Sequence, residues 1–98
     1  MKIDFKQQLT NKLTGNPIYK DETGKEGVDL SYICVEALLA TIQGEQIDGN
    51  KKLELWNLAN KIHNSEVDLT VEEVALIKER VGKVFSQLIV GTVYDALE

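Results

Sequence analysis

The stretch from Leu30 to Ile42, LSYICVEALLATI, constrains the fold of this chain more than any other. Only Glu36 and the small polar residues Ser31 and Thr41 interrupt a run of Ile, Cys, Val, Ala and Leu. An amphipathic surface helix shows one apolar stripe, whereas these apolar residues point in nearly every helical direction. The stretch is also too short to cross a bilayer, which takes about 20 apolar residues. We therefore expect a central helix over 30–42 that the rest of the chain covers on most sides.

The composition is that of one folded domain over residues 1–98. A chain of 98 residues with 43% hydrophobic and 28% charged residues can bury a core without disulfides or metals. Cys34 lies within the apolar stretch, so we expect a buried small side chain and no disulfide. With 16 acidic and 11 basic residues the net charge is −5, which opposes binding to nucleic-acid phosphates.

The first third of the chain, residues 1–28, has the pattern of a small β-sheet. Ile3 and Phe5 alternate with polar residues, as in a half-buried strand. The DETG sequence at 21–24 fits a type I turn, because Asp is favoured at the first position of that turn and Gly at the last. Together with its flanking residues, this turn predicts a β-hairpin over 18–28.

The rest of the chain, residues 29–98, has the periodicity of about four helices. Either Asp29 or Ser31 can cap the central helix by accepting a hydrogen bond from an amide at its start. A second helix over 51–63 is amphipathic. Its apolar stripe consists of Leu55, Leu58, Ala59 and Ile62.

A short extended linker over 66–69 separates this helix from the next. Thr70 and Glu73 then have the spacing of a capping box, so a third helix begins there. Ser86 can cap a last helix over 87–97, although the β-branched residues of that segment leave a strand as an alternative.

These elements predict an α+β fold. It consists of an N-terminal β-hairpin or small antiparallel sheet (the β-rich region 1–28) followed by about four helices. The helices belong to the region 29–98 and pack around the central hydrophobic helix at 30–42.

Few residues suit catalysis or metal binding. His63 ends a helix, where a hydrogen-bonding role is ordinary, and Cys34 lies in the apolar stretch. An exposed linker explains the closeness of His63, Glu66 and Asp68 better than a metal site does. We expect Glu36 on the solvent-facing edge of the central helix, with a buried carboxyl of raised pKa as the alternative. No glycine spacing matches a nucleotide-binding loop, so we expect no enzyme and no cofactor.

Two aromatic residues are candidate protein contacts. Trp56 is of a type enriched at binding hot spots, although its helical spacing favours packing in the core. Tyr19, in the predicted hairpin, is the better candidate for a surface contact. An edge strand of that hairpin could also extend the sheet of a partner protein.

The chain contains, in order, the segments KIDF, GNPIYKDETGKE, ICVEALLA, KIHNSEVDLTVEEVALIK and VGKVFSQLIVGTVYDALE. This order of motifs along nearly the whole chain resembles small proteins encoded by tailed bacteriophages and prophages. The resemblance rests on core and turn residues and includes no catalytic signature. It implies a bacterial cytoplasm during phage development, among genes for particle morphogenesis.

We therefore expect a non-enzymatic, protein-binding accessory factor of phage particle assembly. It would fold in the cytoplasm of the bacterial host, since the N-terminal MKIDFKQQ is no signal peptide. Its partner would be a phage or host protein, without nucleic acid or membrane, and the apolar helices also suit a homo-oligomer. One alternative is an acidic host-directed regulator or inhibitor; another is a small enzyme that uses His63. The acidic surface for an inhibitor would come from Glu22, Glu26, Glu45, Asp48, Glu54, Glu66, Asp68, Glu72 and Glu73.

Overall fold

A computed structural model describes residues 2–11, 13–18, 27–63 and 65–97. These residues form a two-stranded antiparallel sheet and four helices, which confirms the predicted α+β fold. The elements are β1 (Lys2–Asp4), α1 (Leu30–Leu39), α2 (Gly49–Ile62), β2 (Glu66–Asp68), α3 (Val71–Val84) and α4 (Gln87–Ala96).

The sheet joins the N-terminal strand to a strand that lies between α2 and α3. β1 pairs with β2 in antiparallel register, with Ile3 opposite Val67. Ile3 and Phe5 are buried, as their alternation predicts. The partner strand comes from residues 66–68, which we expected to be a linker; that interpretation was wrong, because only the tertiary fold brings this segment beside β1.

Backbone hydrogen bonds hold the N-terminal segment against the start of α1. The amide of Leu9 donates to the carbonyl of Val28 at 2.9 Å, and the amide of Ile18 donates to the carbonyl of Leu9 at 3.0 Å. Val28 in turn donates to the carbonyl of Ile18 at 2.7 Å. The two ends of the predicted hairpin are therefore paired, while its turn and Tyr19 lie outside the described residues.

The central helix α1 begins where it was predicted to begin and ends earlier. The carboxylate of Asp29 accepts a hydrogen bond from the amide of Tyr32 at 2.7 Å, which makes Asp29 the N-cap. The helix ends at Leu39, because Ala40 adopts an extended conformation with ψ of 141°. The prediction of a helix over 30–42 was therefore three residues too long.

α2 and α3 both pack mainly on α1. The predicted apolar stripe of α2 is buried, and Asp48 caps this helix by accepting from the amide of Lys51 at 2.8 Å. α3 begins with the predicted capping box: Thr70 Oγ1 accepts from the amide of Glu73 at 3.1 Å, and Glu73 Oε1 accepts from the amide of Thr70 at 3.0 Å.

The last segment is helix α4, which settles the choice between helix and strand. Ser86 stands at its N-cap position, but its side chain makes no capping hydrogen bond, contrary to the prediction. Tyr94 donates a hydrogen bond to the carbonyl of Lys78 at 2.8 Å, which ties α4 to α3. Gly82 permits this approach, since a Cβ there would lie 3.0 Å from the Tyr94 hydroxyl.

Candidate functional site

Trp56 lies on the surface of α2 with 54% of its area exposed. The buried stripe of this helix includes Leu55 and Leu58, and Trp56 falls outside it. Consecutive residues of a helix point about 100° apart, so burial of Leu55 turns its neighbour away from the core. The expectation that Trp56 packs in the core was therefore wrong.

A concave surface of about 600 Å³, the Trp56 groove, lies between α2 and the end of α1. Leu39 is 47% exposed and lines the same groove as Trp56. The chain that leaves α1 lines the remaining side, and most of the lining is apolar. The full lining is Leu38, Leu39, Ala40, Thr41, Ile42, Glu45, Gln46, Ile47, Lys52, Leu55 and Trp56.

A buried guanidinium fixes the shape of this groove. Arg80 of α3 is 2% exposed, and its Nε donates to the carbonyl of Ala37 at 3.3 Å. Its Nη2 donates to the carbonyl of Ala40 at 2.9 Å, and its Nη1 donates to Glu45 Oε1 at 2.5 Å. Because α1 ends at Leu39, the carbonyl of Ala37 has no helical amide to accept from, and Arg80 takes that place. Arg80 thus holds the end of α1 and the following loop to α3.

Glu45 connects this buried cation to the surface. Its second carboxylate oxygen, Oε2, accepts from Lys83 at 3.2 Å. The hydrogen bond from Arg80, above all, holds the pKa of the Glu45 carboxyl below its ordinary value, and Lys83 acts in the same direction. Hydrogen bonds first with Glu79 and then with Glu45 raise the pKa of Lys83. The loop beside Trp56 therefore carries a carboxylate that stays ionised into acid conditions.

A second concave surface of about 470 Å³, the α2–α3 groove, opens on another side of α2. Leu53 is 56% exposed along it, while Leu58 is buried and Leu76 is partly buried. All the charged residues in its lining are carboxylates. The lining consists of Asn50, Leu53, Glu54, Asn57, Leu58, Glu72, Glu73 and Leu76.

The residues considered for chemistry lie apart from both grooves. His63 is the exposed C-cap of α2, and Glu36 is exposed, as the simpler interpretation of that residue predicted. Cys34 is fully buried, as expected, and burial raises the pKa of its thiol to about 12. Within the described parts of the chain, no three His, Cys, Asp or Glu side chains come together in a way that could hold a metal ion.

The sequence patterns missed the residues that shape the Trp56 groove. In the sequence, Arg80 is one of several charged residues near the end of α3, where cations are ordinary. The sequence predicts that Leu39 belongs to a central helix that is covered on most sides. One sequence feature could have pointed to a group such as Arg80: residues 30–42 are almost entirely apolar and Gly44 follows them. A helix that ends among apolar residues leaves backbone carbonyls that another group must bind.

A scan against protein-family models, a search of curated proteins and a search of solved structures each found no match for this chain. In the parts of the chain that the structure describes, no helix combines the length and apolarity that a bilayer crossing requires.

Proposed function

We propose that the protein is a non-enzymatic, protein-binding accessory factor encoded by a tailed phage or prophage, and that its Trp56 groove receives an apolar segment of a partner protein. The observation that carries this proposal is the exposure of Trp56 beside Leu39. Two large, exposed apolar side chains that line one concave surface gain free energy when a partner excludes water from them.

The size of that gain is sufficient for an anchor residue. A tryptophan side chain has about 200 Å² of surface to bury, and roughly half of the Trp56 area is exposed. At about 25 cal/mol per Å², covering it contributes about 2.5 kcal/mol. Contributions of that size distinguish hot spots from the near-neutral contacts around them.

The setting follows from the resemblance of the chain to small phage and prophage proteins. In that setting the protein acts in the cytoplasm of a bacterial host during assembly of the virion, and its partner is a head, tail or assembly protein. The net charge of −5 supports a protein partner over a nucleic acid.

The test is an affinity purification from a lysate of phage-infected bacteria, with three tagged proteins in parallel. These are the wild type, Trp56→Ala, and Leu88→Ala as the matched control. Leu88 is also an exposed apolar residue of a helix, but it lies on α4 and lines neither groove. A phage structural or assembly protein retained by the wild type and the control, and lost with Trp56→Ala, is the expected result.

The purified partner then allows a direct measurement. Trp56 is the only tryptophan of the chain, so its fluorescence reports on the groove alone when a tryptophan-free partner fragment is added. We expect a blue shift that saturates with the fragment concentration. Equal retention by Trp56→Ala, or recovery of a host polymerase, nuclease or repressor in place of a phage protein, contradicts the proposal; the second outcome favours the acidic inhibitor.

A further inference from the structure

The α2–α3 groove combines an apolar floor with charge of a single sign. Leu53, Leu58 and Leu76 supply the floor, and Leu53 is more than half exposed. The charged lining residues are Glu54, Glu72 and Glu73. An occupant must therefore be apolar on the side that enters the groove and cationic at its edges.

The three carboxylates differ in how far they are already neutralised. Glu73 is paired with Lys61 at 3.0 Å and also closes the capping box of α3. Glu54 lies 3.6 Å from Lys51 in an exposed pair, which binds weakly. Glu72 makes no ion pair with any residue that the structure describes. Glu72 and Glu54 are thus available to an incoming cation.

The walls of the groove favour a helix as the occupant. The lining spans residues 50–58 of α2 and 72–76 of α3, so the longer wall is about 12 Å long, which accommodates about two turns of a helix. Both walls pack mainly on α1 and make few contacts with each other, which leaves room above Leu58. A helix laid between two helices places anchors at every third or fourth residue into such a floor.

We propose that the α2–α3 groove is a second interaction surface, and that it binds an amphipathic helix of a partner protein with lysine or arginine beside its apolar stripe. The negative net charge of the whole molecule favours the same partner through long-range attraction. This surface is separate from the Trp56 groove, since the two share no lining residue.

Synthetic helical peptides of about 14 residues, long enough to extend beyond both ends of the groove, test this proposal. One peptide carries leucines at helical spacing flanked by lysines, a second replaces the lysines by glutamates, and a third scrambles the leucines. Labelled peptides are titrated with the intact protein and followed by fluorescence anisotropy. We expect saturable binding of the basic peptide alone, with a dissociation constant below about 1 mM that rises with salt.

Variants locate the binding on the protein. Leu53→Ser is expected to weaken binding about tenfold through lost apolar burial. Glu72→Gln is expected to weaken it about threefold and to reduce its salt dependence. Leu88→Ser serves as the matched control, and Trp56→Ala leaves the peptide affinity unchanged. Both altered side chains of the groove are exposed, and circular dichroism verifies that each variant is folded.

Three results would overturn the proposal. The first is equal binding of the acidic or scrambled peptide, and the second is undiminished affinity in both Leu53→Ser and Glu72→Gln. The third is a dimer in analytical ultracentrifugation that Leu53→Ser dissociates, since a second copy would then occupy the groove. Because Trp56→Ala is silent here, failure of this proposal and failure of the proposed function are separate results.

Discussion

The molecule has a buried side and an open side, and two pairs of neighbouring residues lie at the boundary between them. Leu38 and Leu55 are 2% and 4% exposed, whereas Leu39 and Trp56, which directly follow them, are about half exposed. All four are large and apolar, so residue type does not distinguish a core position from an exposed position here. The direction of each side chain on its helix does, because one step along a helix turns the side chain by about 100°.

The two sides also differ in the contacts that their side chains make. On the buried side, Arg80 is enclosed and every polar group of its guanidinium that the structure describes has a partner. On the open side, Leu39 and Trp56 each leave about half of their surface in contact with water. We infer that the buried side determines the stability of the protein and the open side determines what it binds.

The largest expected effect comes from the two leucines at the end of α1. Leu38→Ala leaves a cavity in the core, and we expect it to lower the free energy of unfolding by about 3 kcal/mol. Leu39→Ala removes an exposed side chain, so we expect a loss below about 1 kcal/mol. Urea denaturation followed by circular dichroism measures both.

Both variants make the same substitution in the same helix. The change in helix propensity is therefore the same in both and cancels when their stabilities are compared. If the two variants lost equal stability, the division into a buried and an open side would be wrong at this point. A smaller m-value in Leu38→Ala alone would instead indicate a change in the unfolded state.

The next effect concerns the cation of the buried side. Arg80→Lys keeps the charge, but an ammonium cannot reach the two carbonyls and Glu45 with the planar fork of a guanidinium. The substitution leaves at least one buried acceptor without a donor, and we expect a loss of about 2 kcal/mol in the free energy of unfolding.

Lys83→Arg is a suitable control for Arg80→Lys, because it exchanges the same two residue types at an exposed position of the same helix. We expect it to change stability by less than about 0.5 kcal/mol. Equal effects of the two exchanges would show that the burial of Arg80 contributes nothing beyond its charge.

Features set by neighbouring residues could be predicted from the sequence, and features set by distant ones could not. The caps at Asp29 and Thr70 depend on residues three positions away, and both predictions are confirmed. The pairing of β1 with residues 66–68 depends on a contact across more than half of the chain. The burial of Arg80 has the same origin, since its partners in α1 and the following loop lie 35 to 43 positions away.

The sequence named a candidate contact residue but did not predict where that residue lies in the structure. Trp56 was named as a contact by its residue type, while its helical spacing led to the wrong expectation of a core position. The spacing argument counted Trp56 with the apolar stripe, although Leu55 already occupied the buried direction. The groove itself needs Leu39, whose exposure follows from the early end of α1.

A smaller effect is expected at the start of α3, which supplies one wall of the α2–α3 groove. Thr70→Ala removes the hydroxyl that accepts from the amide of Glu73, and we expect a loss of about 1 kcal/mol in the free energy of unfolding. Thr70→Ser keeps the acceptor and serves as the control. If Thr70→Ala were as stable as Thr70→Ser, water would satisfy that amide as well as the cap does.

The smallest expected effect is that of substituting Glu45, a residue that belongs to both the buried side and the open side. This carboxylate binds the buried Arg80 and also lines the Trp56 groove. Its pKa in the folded protein is lowered, chiefly by the hydrogen bond from Arg80. A lowered folded pKa stabilises the protein above the unfolded value of about 4.3, and this stabilisation disappears as the pH falls through the folded pKa.

Glu45→Gln removes the titration but keeps an oxygen that can accept from Arg80. We expect the wild type to be the more stable protein near pH 7, and the difference between the two to shrink as the pH falls below the unfolded value of about 4.3 and through the folded pKa of Glu45. The lowered pKa of Glu73 is present in both proteins, so its contribution cancels in that difference. If the stability difference between the two proteins did not change with pH, the ionised Glu45 would contribute nothing to the buried side. If the difference shrinks at low pH and Trp56 fluorescence changes over the same pH range, protonation of this one carboxylate both weakens the buried side and alters the Trp56 groove.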